Sequence, residues 1–165
     1  MLETPLGRYR WHDNWVNVPG RTNTGARTHG VVVTRRGEIL IFHQGNPAML
    51  VYSQNGQLLS AWGDYLGAHG LTLVVENDEE FLWLVDDTTG NVHKTTLDGH
   101  IVQRLAAPVH AAYIAGRKFS PIQVAINESS CLKILRATAL EVAGVLKGNV
   151  PDFHFDKVPE KGERA

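Results

Sequence analysis

A single cysteine, Cys131, stands among 165 residues, so no internal disulfide can staple the fold and thiol usage points to no oxidising compartment. An excess of charge is also lacking: 16 Lys and Arg face 17 Asp and Glu, for a net charge of −1. That balance excludes the basic footprint of a nucleic-acid or anionic-membrane binder. No apolar run approaches the roughly 20 residues of a membrane span. The opening "MLETPLGRYRWHDNW" holds no stretch of signal-peptide length. Gly-rich phosphate loops and serine-nucleophile elbows are missing too. A cytoplasmic chain with neither nucleic acid nor membrane as partner is expected. With 43% hydrophobic and 20% charged residues, its composition is that of an ordinary globular protein able to bury a core.

What the chain does have is a repeat. "THGVVVTRRGEILIFHQGNPAMLVYSQNGQLLSAWG" (Thr28–Gly63) is followed by "AHGLTLVVENDEEFLWLVDDTTGNVHKTTLDGHIVQRL" (Ala68–Leu105). His29-Gly30 recurs as His69-Gly70 at an offset of 40, and Asn55-Gly56 recurs as Asp98-Gly99 at an offset of 43. The difference is expected to sit in a longer turn at Asn77-Asp78-Glu79. Short strands and Gly turns repeating at this length read as propeller blades of roughly 40–45 residues.

Each repeat reads as four strands: Gly30–Thr34, Glu38–His43, Met49–Ser53 and Leu58–Trp62, then Gly70–Val75, Phe81–Asp86, Asn91–Thr96 and Ile101–Leu105. The continuous apolar runs Ile39–Phe42 and Leu82–Val85 predict strands covered on both faces. Tyr9–Val18 alternates like an extended strand. A third blade opens at Phe119–Glu128. Apolar residues then recur at 132, 135, 139, 142 or 143, and 146, which predicts a helix over Cys131–Gly148. The fold class expected is therefore all-β. It is an incomplete β-propeller of four-stranded antiparallel blades (about 28–67, 68–108 and the start of a third at 119–128) with a non-propeller C-terminal helix. Residues 129–165 form a divergent helical and disordered tail, with a truncated or frame-shifted reading frame as the expected origin of that change.

Several strings occur in the order, and at close to the spacing, of a known family. They are "IFHQG" (Ile41–Gly45), "AHGL" (Ala68–Leu71), "LWLVDD" (Leu82–Asp87) with "VHK" (Val92–Lys94), and "FSPIQVAIN" (Phe119–Asn127). Over about residues 9–128 the chain resembles NHL-repeat six-bladed propellers, and more narrowly the peptidyl-α-hydroxyglycine α-amidating lyases and their bacterial relatives. The resemblance implies zinc-assisted breakdown of a carbinolamide to a peptide amide and glyoxylate. It implies a zinc held by one histidine from each of three blades, of which His69 matches one. It also implies a structural calcium held partly by backbone carbonyls, here those of Val31 and Leu71. Gln44 stands where the family has an arginine and lacks that residue's fixed charge and fork of donors. The family's tyrosine and its other two histidines fall on blades without a counterpart here, so no catalytic residue is carried over.

The candidate residues have plainer readings as well. His29 and His69 either line a metal site or belong to His-Gly turns whose imidazoles bond backbone. Asp86-Asp87 reads as a strand end whose carboxylate accepts turn amides, ahead of an acid–base pair. Cys131 has no basic neighbour to activate it. Three functions stay open: a lyase-like fragment inactive as this chain, an NHL-type module binding a peptide or small molecule, and a metal-dependent lyase whose ring is completed by self-association through open blade edges.

Overall fold

The computed structural model describes residues 2–4, 7–9, 12–16, 27–105, 119–126, 132–135 and 154–155. The chain opens with β1 (Leu2–Thr4) and β2 (Gly7–Tyr9), an antiparallel hairpin with Leu2 opposite Tyr9. Of the strand expected over Tyr9–Val18, residues 10–11 and 17–18 lie outside the described residues, and the described stretch His12–Val16 is not a strand. β2 ends at Tyr9, and His12–Val16 pass through a turn in which Asn14 has a φ of 53°. Asp13-Asn14 is turn chemistry, and Asn tolerates the left-handed region, so the aromatic alternation on either side is interrupted. Trp15 leans on Tyr52, with ring centroids 6.4 Å apart. Its carbonyl sits where a Cβ on Gly56 would have to go.

The first repeat forms β3 (Thr28–Val33), β4 (Ile39–His43), β5 (Met49–Tyr52) and β6 (Leu58–Trp62). The second forms β7 (Ala68–Glu76), β8 (Glu79–Asp86), β9 (Asn91–Thr96) and β10 (Ile101–Leu105). Each is a four-stranded antiparallel meander in chain order. The three-residue difference between repeats is not spent on a longer turn. Asn77 and Asp78 make a tight two-residue turn, with φ of 49° and 66°, that joins Glu76 directly to Glu79. Both central residues at positive φ suit the twist of a hairpin. The extra residues instead lengthen β7 and β8.

The two meanders pack face to face. Leu40, Phe42, Met49 and Val51 from the first meet Leu71, Leu82 and Leu84 from the second. Leu40, Phe42, Met49 and Leu82 are fully buried. Burial of each such side chain contributes roughly 1.5–3 kcal/mol. The opposite face of the second meander carries Trp83, Val85 and Val92, which close on Val124. Leu82–Val85 is therefore covered on both sides.

Val124 belongs to a third sheet: β11 (Gln123–Ile126), β12 (Leu132–Leu135) and β13 (His154–Phe155), again in chain order. This corrects the helical reading at its start. Leu132–Leu135 is a strand, with Leu132 opposite Ile126 and Leu135 opposite Gln123. Leu132 and Leu135 lie three apart, as in a helix turn, but pairing to an existing strand edge overrides so short a pattern. His154–Phe155, within the expected tail, is likewise a strand, paired with β12; the rest of the expected helix and tail lies outside the described residues.

The inner strands set the architecture. β3 lies beside β7, and β7 beside β11. A Cβ on Gly30 would stand 2.4 Å from Leu71 Cβ, and one on Gly70 would stand 2.7 Å from the Ile122 carbonyl oxygen. The glycine of each His-Gly pair thus marks the point where one blade's inner strand touches the next. Successive four-stranded meanders joined through their first strands make the chain an all-β, incomplete propeller.

Candidate functional site

The start of each inner strand lies at the same end of the blades, and the histidines of the repeat meet there. His29 on β3 and His69 on β7 stack, with ring centroids 4.2 Å apart and planes 21° from parallel. His69 Nδ1 is 2.9 Å from the Ile122 carbonyl oxygen. A carbonyl can only accept, so Nδ1 carries the proton and Nε2 is left with its lone pair. His69 therefore bonds backbone, but across to the third sheet and from within a strand, not inside its own turn.

His29 is exposed, and its pKa is lowered below 6.5, first by desolvation and then by the charges of His69 and Arg27; Asp87 opposes them. Asp87 holds its place through its backbone: its N–H donates to the Gly67 carbonyl at 2.9 Å and its carbonyl accepts from Ser120 Oγ at 3.1 Å. Asp86 is buried, and its Oδ1 accepts the amides of Thr88 and Thr89 at 2.9 Å each. The carboxylates at this strand end are thus divided: Asp86 builds the turn, while Asp87 Oδ1 accepts from Thr88 Oγ1 at 3.3 Å and its charge acts on His29.

Val31 and Leu71 lie on the adjacent inner strands β3 and β7; Val31 is 59% exposed and Leu71 is buried against Gly30. Gln44 follows β4, and its N–H donates to the Arg27 carbonyl at 2.9 Å, which ties it to the base of β3. His29, His69, Gln44 and Asp87 are all carried by this one end of the blades.

A metal must lie in the plane of every imidazole that ligates it. Two planes only 21° apart, one stacked on the other, do not converge on a point within bonding distance of both rings. Among the described residues, no group of three or more His, Cys, Asp or Glu is placed to hold a metal ion. These residues do not fit a complete zinc site.

A second polar cluster escaped sequence reasoning. Tyr65, in the link between blades, places its hydroxyl 3.4 Å from Nδ1 of buried His93 and its ring edge-on to Phe42 at 5.5 Å. Burial lowers the His93 pKa, Arg104 lowers it further and Asp86 raises it. Burial also raises the pKa of Tyr65. The available signal was the repeat itself: the position 43 residues before His93 is Leu50, so a histidine here replaces a core residue.

No protein-family model matches the chain, and no curated protein matches it. Among solved structures it is similar to virginiamycin B lyase from Staphylococcus aureus, in a catalytically inactive variant solved with quinupristin. That likeness has 13% identity and a TM-score of 0.49, covering 68% of this chain and 35% of the lyase. It is also similar to a protein of unknown function from Bacteroides caccae, with 12% identity, a TM-score of 0.47, and coverage of 68% of this chain and 39% of that one. The chain spans little more than a third of either protein's length. At such identity the likeness is one of strand course and carries neither residues nor activity across.

Proposed function

We propose that this chain is an NHL-type propeller segment related to the amidating lyases. It contributes part of a ligand-binding channel and does not turn over substrate by itself. The observation that supports this best is the anchoring of His69. A backbone carbonyl fixes its Nδ1 proton and ring orientation, leaving Nε2 to accept from whatever enters at the start of the inner strands. Arg27 and Asp87, whose charges act on the stacked His29, and Gln44, tied by its N–H to the Arg27 carbonyl, add polar groups suited to a peptide or small polar ligand at the same end of the blades. One anchored histidine with a stacked neighbour falls short of the three protein ligands that a catalytic zinc requires. The carbonyls of Val31 and Leu71 alone fall short of the six to eight oxygens that calcium takes.

The test is direct. The purified chain, supplied with zinc and calcium, is assayed for glyoxylate release from a peptidyl-α-hydroxyglycine, and its metal content is measured after dialysis. No turnover and substoichiometric zinc are expected. Stoichiometric zinc that is lost in His69→Ala, together with glyoxylate release, would overturn the reading in favour of a working lyase. A second reading, a lyase ring completed by association of copies, draws support from the exposed aliphatic face of β3.

A further inference from the structure

Tyr65, His93 and Arg104 meet at the seam between the two blades, on elements that the proposed binding site does not use. β10 pairs with β9 so that Arg104 lies directly opposite His93. Residues paired in this way put their side chains on the same face of the sheet, with Cβ atoms about 5 Å apart. That face is turned to the first blade, because His93 is itself opposite Leu84 of the inter-blade core. Tyr65 reaches the same place from the link between the blades. Its ring is edge-on to His93 at 5.9 Å and to Phe42 at 5.5 Å, and its carbonyl accepts from the Ala68 N–H at 3.0 Å. The phenol is thus held by ring contacts with both blades.

The three groups retain bonding capacity. Arg104 is exposed, and its guanidinium joins no ion pair or hydrogen bond among the described residues. Tyr65 is half-buried, and its hydroxyl stands 3.4 Å from His93 Nδ1, which is long for a hydrogen bond. His93 is 7% exposed, with Nε2 buried and without a partner among the described residues. The acid whose charge acts on this cluster is Asp86, which is buried and whose Oδ1 already accepts the Thr88 and Thr89 amides. Burial is the first cause of the pKa shifts of Tyr65 and His93, and at each the charge of Arg104 then outweighs that of Asp86. The seam therefore has a positive potential and meets solvent at Arg104.

We infer that this seam binds a small oxyanion, a phosphate or carboxylate group, between the Arg104 guanidinium and the Tyr65 hydroxyl, with His93 behind the phenol as a positioning residue. A guanidinium presents a planar fork of N–H donors that matches two oxygens of such a group. The phenol O–H supplies a third donor. Once that hydrogen points to the anion, the Tyr65 oxygen accepts from His93 Nδ1–H, which fixes the His93 tautomer. The inference stands on the pairing of the blades and not on the reading of His69. His69 Nε2 accepts a hydrogen bond whereas this seam donates, so the two sites select ligand groups of opposite kind.

NMR titration of the purified chain with inorganic phosphate, and separately with acetate, tests it at about pH 7.5, above the usual histidine range. Saturable shifts are expected at Tyr65, His93 and Arg104 with at least one of the two anions, and the tighter one identifies the group the seam prefers. Arg104→Gln is expected to weaken binding roughly tenfold or more, and Tyr65→Phe roughly three- to tenfold. Arg104→Lys, which keeps the charge but not the fork, should weaken it less than Arg104→Gln. Arg27→Gln and His69→Ala should leave it unchanged, and circular-dichroism melts check that each variant folds. Nitrogen-15 spectra of the complex are expected to show His93 with its proton on Nδ1. Shifts that saturate with neither anion overturn the inference. So does binding that Arg27→Gln abolishes and Arg104→Gln leaves intact, which would put the anion at the start of the inner strands. A His93 proton on Nε2 in the complex also overturns it, because the phenol would then be donating to His93 and not to the anion.

Discussion

Gly30 lies so close to Leu71 that a Cβ added to it would stand 2.4 Å from the Leu71 Cβ. Two inner strands are thus brought together at a point where only a hydrogen fits. Gly30→Ala is expected to push the blades apart and cost roughly 1–3 kcal/mol, as overpacking does. Gly70→Ala, which would meet the Ile122 carbonyl oxygen and Gln123 Cα, is expected to cost at least as much, because backbone yields less than a side chain. Thermal melts of both variants measure this. An unchanged melt for Gly30→Ala would mean that the blades do not meet at that strand position.

The repeat also places aliphatic residues of the same blade face in unequal surroundings. Leu84 is 1% exposed in the inter-blade core, while Val33 is 58% exposed. Leu84→Ala is expected to destabilise by about 2–5 kcal/mol through lost burial and the cavity left behind. Val33→Ala is expected to stay within about 0.5 kcal/mol at protein concentrations where the chain is monomeric. Denaturant unfolding of the two variants compares them directly, and equal losses would contradict the exposure of Val33.

Much of this was readable along the chain because it is local. Asn91–Thr96 and Ile101–Leu105 keep the bounds that alternation and turn residues predict. What could not be read is what depends on distant partners. Leu132–Leu135 has helical spacing but becomes a strand because the β11 edge is available to it. The stack of His29 on His69 and the reach of His69 to Ile122 depend on which faces of two sheets meet. A one-dimensional pattern gives each strand's alternation but not its neighbour. The Gly of each His-Gly reads as a turn signal, whereas in the fold it is a contact point between blades.

Asp86 is buried and accepts two backbone amides with one oxygen. Asp86→Ala is expected to strand the Thr88 and Thr89 amides and cost about 1–3 kcal/mol. Asp86→Asn, which keeps one acceptor oxygen, should lose less. Amide hydrogen exchange at Thr88 and Thr89 is the discriminating measurement: both should exchange faster in Asp86→Ala and remain slower in Asp86→Asn.

Acid should weaken the fold through its histidines. Burial lowers the pKa of His43, with a hydrogen bond to Pro47 opposing, and burial with Arg104 lowers that of His93, with Asp86 opposing. Nε2 of each is buried without a protein partner among the described residues. The unfolded chain takes up these protons more readily than the folded one. Stability is therefore full above the unfolded value of about 6.5 and falls as pH drops through the lower folded values. Melting temperatures from neutral pH downward should decline, and His93→Phe should flatten part of that decline. An identical pH profile in His93→Phe would remove His93 from the account.

The bond from His69 to Ile122 fixes a tautomer, and the proposed binding role depends on that tautomer. At 2.9 Å from a carbonyl oxygen, Nδ1 must be the protonated nitrogen of the neutral ring. The lone pair then sits on Nε2, where it can accept a hydrogen bond or meet a metal. Nitrogen-15 NMR of the imidazoles at about pH 8, above the usual histidine range, is expected to show His69 as the Nδ1–H form. His29→Ala removes the stacked neighbour but not the anchor, so the same form should persist in that variant. If His69 proved to carry its proton on Nε2, the Ile122 contact would be repulsive. The ring would then turn away from the third sheet, and the end of the inner strands would lose that fixed acceptor.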